Sequence, residues 1–276
     1  MDLVKLAKEK KVLLAAHRGI CGGNIPCNSI PAFKAALNQG ADIIELDVEN
    51  TSDGQLFIQH PGLENLHLRM NDSITLYPAS TVEQFVQSNS DLTRTEYHIP
   101  RLEEVFALLK GKCVINVDKF WKNPEKIANL IRKYDMKDQI LIKTPNREDC
   151  LDAVEEYAPD IPYMSIAKEE DTTYIDMSKR KINHVGTEAI FKTEDSKVCS
   201  KEYIDMVHSD GKIVWVNALV YDYQKVLSAY HNDDISAMGD EENGWGWLAD
   251  RGFDIIQTDF LCHCKHFLED TGRRNK

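Results

Sequence analysis

Residues 40–60 read GADIIELDVENTSDGQLFIQH and contain apolar runs at 43–48 and 56–59. Two parallel strands need a connection of a dozen or more residues, and the segment between these runs is much shorter. Asp53-Gly54 is a pair typical of tight hairpin turns. We therefore expect the second run to fold back on the first as an antiparallel strand.

Outward from this hairpin, the chain alternates short apolar runs with longer amphipathic stretches, which is typical of repeated βα units. The other predicted strands lie at 12–16, 114–118, 140–143, 163–166, 184–186, 213–217 and 254–257. The predicted helices lie at 29–39, 102–110, 124–134, 147–157, 201–209, 222–230 and 244–251. Together with 43–48, and without the hairpin strand 56–59, these make eight parallel strands. This number predicts an α/β fold, the (β/α)8 TIM barrel. Residues 61–100 have weak periodicity and are predicted to form a small insertion after the second strand, within one domain spanning 1–276.

Composition excludes several classes of function. The chain has 276 residues, 42% of them hydrophobic, and a formal net charge of −12, which argues against nucleic-acid binding. The N-terminus is amphipathic, and no run is apolar enough for a signal peptide or a membrane span. We therefore expect a cytoplasmic protein without stable membrane insertion, unless a leader has been removed. Seven irregularly spaced cysteines favour reduced thiols over a disulfide framework.

Two carboxylates in the first hairpin strand indicate a metal site. Alternate residues of a strand share a face, so Glu45 and Asp47 are expected to point inward near the strand's C-terminal end, where barrel active sites lie. Burying both unpaired would cost several kcal/mol, and one divalent cation, Mg2+ or Ca2+, would offset it. Asp118, at the end of the next parallel strand, is the natural third ligand. The alternatives are two solvated acids at a strand end, and Asp118 as a cap of the following loop.

Two histidines at strand ends indicate acid–base chemistry. His17 and His60 can each donate or accept a proton near neutral pH, as hydrolysis of a phosphodiester requires. Arg18 can bind phosphate oxygens in a bidentate manner, and can also neutralise the nearby carboxylates. Lys143 and Trp215 are candidate substrate contacts, with Trp215 as an apolar wall for the alcohol or, equally, as part of the core.

These residues form a pattern that resembles the glycerophosphodiester phosphodiesterase family over about residues 12–262. The matching motifs are His17-Arg18-Gly19, Asn28-Ser29-x-x-Ala32-Phe33, Gly40-Ala-Asp-x-x-Glu45-Leu-Asp47-Val, Thr51-x-Asp53-Gly54, His60, Ile99-Pro-x-Leu-Glu-Glu-Val105, Ile213-Val-Trp215-Val-Asn217 and Gly252-x-Asp-x-Ile-x-Thr-Asp259. The resemblance implies hydrolysis of a small glycerophosphodiester to glycerol 3-phosphate and an alcohol. It also implies acid–base roles for His17 and His60, metal binding by Glu45 and Asp47, and phosphate binding by Arg18.

The chain departs from the family pattern at three positions. Cys27 stands where the family usually has Glu, and Pro61 stands where it usually has Asp. Asp118 is shorter by one methylene than the Glu of the usual Glu-x-Lys motif.

Two other functions remain open beside glycerophosphodiester hydrolysis. One is a phospholipase D-like enzyme acting on lysophospholipid or sphingomyelin, and the other is a phosphodiester-binding barrel without turnover. The alcohol headgroup and the oligomeric state stay open.

Overall fold

Eight parallel strands form a closed barrel at the centre of the protein. The structure is a computed structural model that describes residues 2–170 and 174–276. The strands are β1 Leu13–Ala16, β2 Ile43–Asn50, β3 Leu56–Ile58, β4 Val86–Ser88, β5 Arg94–His98, β6 Val114–Asp118, β7 Ile140–Pro145, β8 Tyr163–Lys168, β9 His184–Ile190, β10 Ile213–Asn217 and β11 Ile255–Thr258. The barrel runs β1, β2, β6, β7, β8, β9, β10 and β11, and β11 pairs with β1 to close it. The predicted (β/α)8 barrel is confirmed.

Helices connect most of the barrel strands and cover their outer face, and others precede the first strand, follow the last strand or lie in the insertion. They are α1 Leu3–Lys10, α2 Ile30–Gln39, α3 Glu64–His67, α4 Ala79–Val82, α5 Leu102–Leu109, α6 Pro124–Lys133, α7 Glu148–Tyr157, α8 Tyr174–Met177, α9 Lys201–Ser209, α10 Asp233–Ala237, α11 Trp247–Arg251 and α12 Leu261–Asp270. Helix α2 begins where the Ser29 hydroxyl accepts a hydrogen bond from the Ala32 amide, and Pro31 occupies its first turn. None of the helices in the described residues combines the length and apolar character needed to cross a membrane.

The predicted hairpin is confirmed. β3 pairs antiparallel with β2, with Val48 opposite Ile58. The turn is held by Thr51, whose hydroxyl donates to the Asp53 carboxylate over 2.5 Å, and by Gly54 at φ +80°. Among the strands of the described residues, β3 pairs only with β2, so it stays outside the barrel and leaves eight strands in the closed sheet.

Alternation along β2 sends its apolar and acidic side chains to opposite faces. Ile44, Leu46 and Val48 pack outward in the core between the strands and the helices. Ile43 points into the barrel, where an apolar plug closes the N-terminal half beneath the site. Glu45, two residues further along the same face, therefore points inward above this plug, as predicted.

The insertion after the hairpin packs on a small core of its own. It contains α3, α4 and the two-stranded sheet of β4 and β5, and its buried core is Phe57, Ile74, Ala79, Val82 and Ile99. Two side chains link it to the loop at the barrel mouth. The Gln87 amide donates to the backbone carbonyls of Cys27 and Asn28, each over 3.2 Å, and the Asn89 amide donates to the Gly23 carbonyl over 3.3 Å.

The helix predicted at 222–230 is wrong. The Asp222 carboxylate accepts from the amides of Gln224 and Lys225, which holds a local turn instead. Ala229 and Tyr230 have φ of +49° and +70°, which a right-handed helix does not allow. Backbone hydrogen bonds join the segment to residue 191, which directly follows β9, and the short helix α10 comes after it. The predicted helix at 244–251 is present as a π-helical turn, Glu242–Gly246, that continues into α11.

Candidate active site

Three carboxylates lie together at the C-terminal ends of β2 and β6. The parallel register places Glu45 opposite Asn116 and Asp47 opposite Asp118. Glu45 and Asp47 are buried, with 3% and 1% of their surfaces exposed, and the three acids offer oxygens within 4.8 Å of one another. In the part of the chain that the structure describes, no other group of three His, Cys, Asp or Glu side chains is placed to share one ion.

Asp47 is surrounded by groups that stabilise its negative charge. Arg18 Nε lies 2.9 Å from Asp47 Oδ2, and Lys119 Nζ lies 3.5 Å from Oδ1 and 2.5 Å from Asp118 Oδ2. The Asn28 amide also donates to Asp47 Oδ2 over 2.9 Å. Burial alone would raise the pKa of Asp47, but Arg18 and Lys119 outweigh it and hold that pKa well below its usual range.

Glu45 has less compensation. The backbone amide of Arg18 donates to its Oε2 over 3.0 Å. Burial, followed by the charge of Asp47, raises the pKa of Glu45 from 4.5 to about 7. At neutral pH an ionised Glu45 is therefore costly unless more positive charge enters the site.

The donor set fits a hard divalent cation. All three acids present oxygen ligands, which Mg2+ and Ca2+ prefer over nitrogen or sulfur. The Oδ1 atom of Asp118 is buried and has no hydrogen-bond partner within the described residues. A buried carboxylate oxygen without a donor, next to a carboxyl group with a raised pKa, is the arrangement that a cation would complete.

His17 is oriented by a residue from the last barrel strand. Its Nδ1 lies 2.9 Å from Asp259 Oδ1, and its ring packs edge-on against Tyr221 with centroids 5.7 Å apart. Nε2 is buried and has no hydrogen-bond partner in the described part of the chain. Burial lowers the pKa of His17, but the hydrogen bond and the charge of Asp259 outweigh burial, so that the net pKa is raised. His17 therefore presents one free ring nitrogen.

His60 reaches the same carboxylates from the hairpin. Its Nδ1 lies 2.9 Å from the Pro61 carbonyl, which can only accept, so Nδ1 carries the proton. Its Nε2 lies 3.9 Å from Asp47 Oδ1. Burial lowers the pKa of His60. The hairpin thus brings this side chain level with Asp47, as the sequence predicted.

Lys143 and Trp215 belong to a second polar group inside the barrel. Lys143 Nζ lies 2.7 Å from Glu188 Oε2 and 3.9 Å above the Trp215 ring. The Trp215 indole donates to Asn217 Oδ1 over 2.9 Å, and the Asn217 amide donates to Glu188 over 2.6 Å. Trp215 is fully buried, so it packs beneath Lys143 in the barrel core.

The turn after β1 requires glycine at position 19. Gly19 has φ +76°, and a Cβ there would lie 2.7 Å from the backbone carbon of Ala32. We expect Gly19→Ala to lower the free energy of unfolding by about 2 kcal/mol or more, because strain and close contact add. Gly23→Ala is the control, since Gly23 has φ +54° with no atom within 4 Å, and should cost about 1 kcal/mol. Urea unfolding measures both, and equal losses would contradict the steric argument.

Sequence reasoning gave no role to four of the site residues, although Asn28 and Asp259 stand in the family motifs. Lys119 and Asp259 each follow a barrel strand directly, as His17 does, and that position was the available signal. Asn28 and Tyr221 lie on loops, where no periodicity marks them. Their contacts with Asp47 and His17 arise only when the barrel closes.

Comparisons with known proteins agree on one family. The Glycerophosphoryl diester phosphodiesterase family matches residues 17–262. A glycerophosphodiester phosphodiesterase of Bacillus altitudinis is 33% identical over 138 residues, which are 47% of this chain and 56% of that protein. The chain thus spans just over half the length of that curated relative.

Solved structures share the fold. A glycerophosphoryl diester phosphodiesterase from Parabacteroides distasonis superposes with a TM-score of 0.76 at 18% identity, covering 98% of this chain and 93% of that one. An Oleispira antarctica phosphodiesterase, solved with its product sn-glycerol-3-phosphate, gives 0.70 at 16% identity, covering 93% and 96%.

Proposed function

Because this chain belongs to the glycerophosphoryl diester phosphodiesterase family, we propose that it hydrolyses glycerophosphodiesters to glycerol 3-phosphate and an alcohol. The observation that carries the proposal is the placement of His17 and His60 around the cluster of three carboxylates, two of which are buried. The net charge of −12 supports a small-molecule substrate rather than nucleic acid.

The two histidines divide the proton transfers between them. His17 has a raised pKa and a free Nε2, so it suits the role of the acid that protonates the leaving alkoxide. His60 has a lowered pKa and an unprotonated Nε2, so it suits the role of the base that takes a proton from the attacking water. Asp259 acts through His17 and is a positioning residue.

Arg18 and Lys143 are the proposed substrate-binding cations. The planar Arg18 guanidinium can hold two phosphate oxygens while it remains paired with Asp47. Lys143 stands beside Glu188 above the Trp215 ring, where it can contact the substrate from the other side of the barrel. In this proposal, Trp215 positions Lys143 from below.

Glu45, Asp47 and Asp118 are the residues that would hold one divalent cation, Mg2+ or Ca2+. Such an ion, when bound, supplies positive charge that polarises the phosphate. The proposal rests on the oxygen-only donor set, the raised pKa of Glu45 and the unpaired Asp118 oxygen.

The proton roles predict a bell-shaped pH dependence of kcat/KM. The acidic limb should lie below pH 6.5, where His60 becomes protonated, and the basic limb above 6.5, where His17 loses its proton. Asp259→Asn removes the charge that stabilises the His17 imidazolium, so the basic limb should move to lower pH. Asp254→Asn is the control, because Asp254 makes a similar 2.8 Å pair with His208 outside the site. An unmoved basic limb in Asp259→Asn would remove His17 as the acid.

The test of the function is release of glycerol 3-phosphate from glycerophosphocholine and glycerophosphoethanolamine. The protein is first treated with EDTA, and Mg2+ or Ca2+ is then restored. Release that depends on the cation supports both the proposed hydrolysis and the proposed metal site. Release that persists in EDTA would contradict the metal site. Turnover of lysophospholipids alone would favour the phospholipase D-like alternative, and binding without product the inactive barrel.

A further inference from the structure

Two cysteine sulfurs lie against each other in the loop between β1 and α2. The Cys27 thiol donates to the Cys21 sulfur, and the two Sγ atoms are 2.7 Å apart. Between them, Gly22 and Ile25 exchange backbone hydrogen bonds of 3.2 and 3.0 Å and close a tight turn. This turn holds the two sulfurs on neighbouring positions.

The same loop carries two of the side chains that hold Asp47. The backbone amide of Asn28 donates to the backbone carbonyl of Arg18 over 2.9 Å, so these two residues form the base of the loop. Arg18 and Asn28 have φ of +56° and +54°, and both contact Asp47 through their side chains. Cys27 is bonded directly to Asn28, so its sulfur lies one residue from the base that positions the proposed phosphate-binding guanidinium.

The pair is suited to disulfide formation rather than to metal binding. Within the described residues, no third His, Cys, Asp or Glu completes an ion site at these sulfurs. Both are partly exposed, whereas Cys113, Cys150, Cys199 and Cys264 are buried and Cys262 lies on the surface of α12. A disulfide bond is about 2.05 Å long, so closure from the present contact needs a movement of roughly 0.7 Å.

We propose that Cys21 and Cys27 are a redox modification site, which forms a reversible disulfide with a low-molecular-weight disulfide as oxidant and thereby weakens substrate binding. The Cys21 thiolate attacks one sulfur of the oxidant, forms a mixed disulfide and releases the first thiolate. The Cys27 thiolate then attacks Cys21 Sγ, forms the Sγ–Sγ bond and releases the second thiolate, and the two cysteine protons pass to the released thiolates. Cys21 reacts first because the hydrogen bond from Cys27 lowers its pKa.

The expected consequence is a weaker contact between Arg18 and the phosphate. Disulfide formation shortens the distance between the two sulfurs and displaces the base formed by Arg18 and Asn28. Both of these residues already have left-handed backbone conformations. A displacement of about 1 Å in a site can cost ~100-fold in rate, so a smaller shift should raise KM about 10-fold with kcat within about twofold. This kinetic expectation rests on the proposed function, whereas disulfide formation does not.

The test equilibrates the full chain at graded ratios of reduced to oxidised glutathione. Free thiols are trapped by alkylation, and the peptides are identified by mass spectrometry. We expect a Cys21–Cys27 cross-link with five alkylated thiols, full reversal by dithiothreitol, and its loss in Cys27→Ser. Cys262→Ser, which removes the exposed thiol, should still form the cross-link.

Kinetics of the same samples test the effect on binding. Oxidised wild-type protein should show the raised KM, and Cys27→Ser should show the same KM with and without oxidant. Absence of the cross-link at every ratio would overturn the modification site. A cross-link with unchanged KM would overturn its effect on binding. If no substrate is turned over, the proposed function fails while the thiol measurement still decides the modification site.

Discussion

His17→Ala and His60→Ala should each lower kcat by about 100-fold or more, because each removes one of the two proton transfers. The fold should survive, since His17 follows β1 rather than filling its core, and His60 is held mainly by its backbone neighbour Pro61. Turnover of glycerophosphocholine at saturating Mg2+ measures the loss, and thermal unfolding of the same samples checks the fold.

His266→Ala is the matched control for these variants. His266 lies exposed on α12, outside the carboxylate cluster, with its Nδ1 3.9 Å from the Cys262 sulfur, so its removal should leave kcat unchanged. If either His17→Ala or His60→Ala keeps more than about a tenth of wild-type kcat, that histidine does not transfer a proton in the slow step.

Glu45→Gln should abolish the response to metal while stabilising the metal-free protein. The raised pKa of Glu45 means that its ionised form is disfavoured in the folded state. The stability contributed by the protonated carboxyl is fully present below pH 4.5 and is lost as pH rises through about 7. A pKa raised from 4.5 to about 7 corresponds to about 3 kcal/mol, so the neutral amide should recover about 2 to 3 kcal/mol at or above pH 7.

The amide keeps an oxygen that can accept from the Arg18 backbone, so the hydrogen bond to Glu45 Oε2 has a substitute. Urea unfolding in EDTA at pH 5 and pH 8 measures the stability, and the change in Tm on adding Mg2+ or Ca2+ measures the ion. Glu49→Gln is the control, because Glu49 is a buried acid paired with Lys122 at 2.7 Å outside the cluster. It should lose stability and keep the metal response. A full metal response in Glu45→Gln would remove Glu45 from the ligand set.

Asp47 and Glu45 differ in how their negative charges affect the stability of the folded protein. Asp47 is stabilised by Arg18, Lys119 and Asn28, so its charge is compatible with folding. Glu45 has less compensation, since burial and the charge of Asp47 still raise its pKa to about 7, and its ionised form therefore costs stability. Residues that lower stability and serve chemistry are expected where function constrains the sequence more than folding does.

Most of the barrel follows from local patterns in the sequence. Periodicity along each strand predicted the eight barrel strands, and the turn pair Asp53-Gly54 predicted the hairpin that carries His60. The helix predicted at 222–230 failed, because the Asp222 turn and a lateral contact with residue 191 outweigh helical propensity there.

The sequence by itself determined the barrel and the inward direction of Glu45 and Asp47, because a strand's two faces alternate with a period of two residues. Only the tertiary structure decided which groups surround them. Asp259 lies 242 positions from His17 and reaches it because β11 pairs with β1. The Cys21–Cys27 contact depends on a loop conformation that no periodic pattern encodes. Local periodicity fixes where a side chain points, and closure of the sheet fixes what it meets.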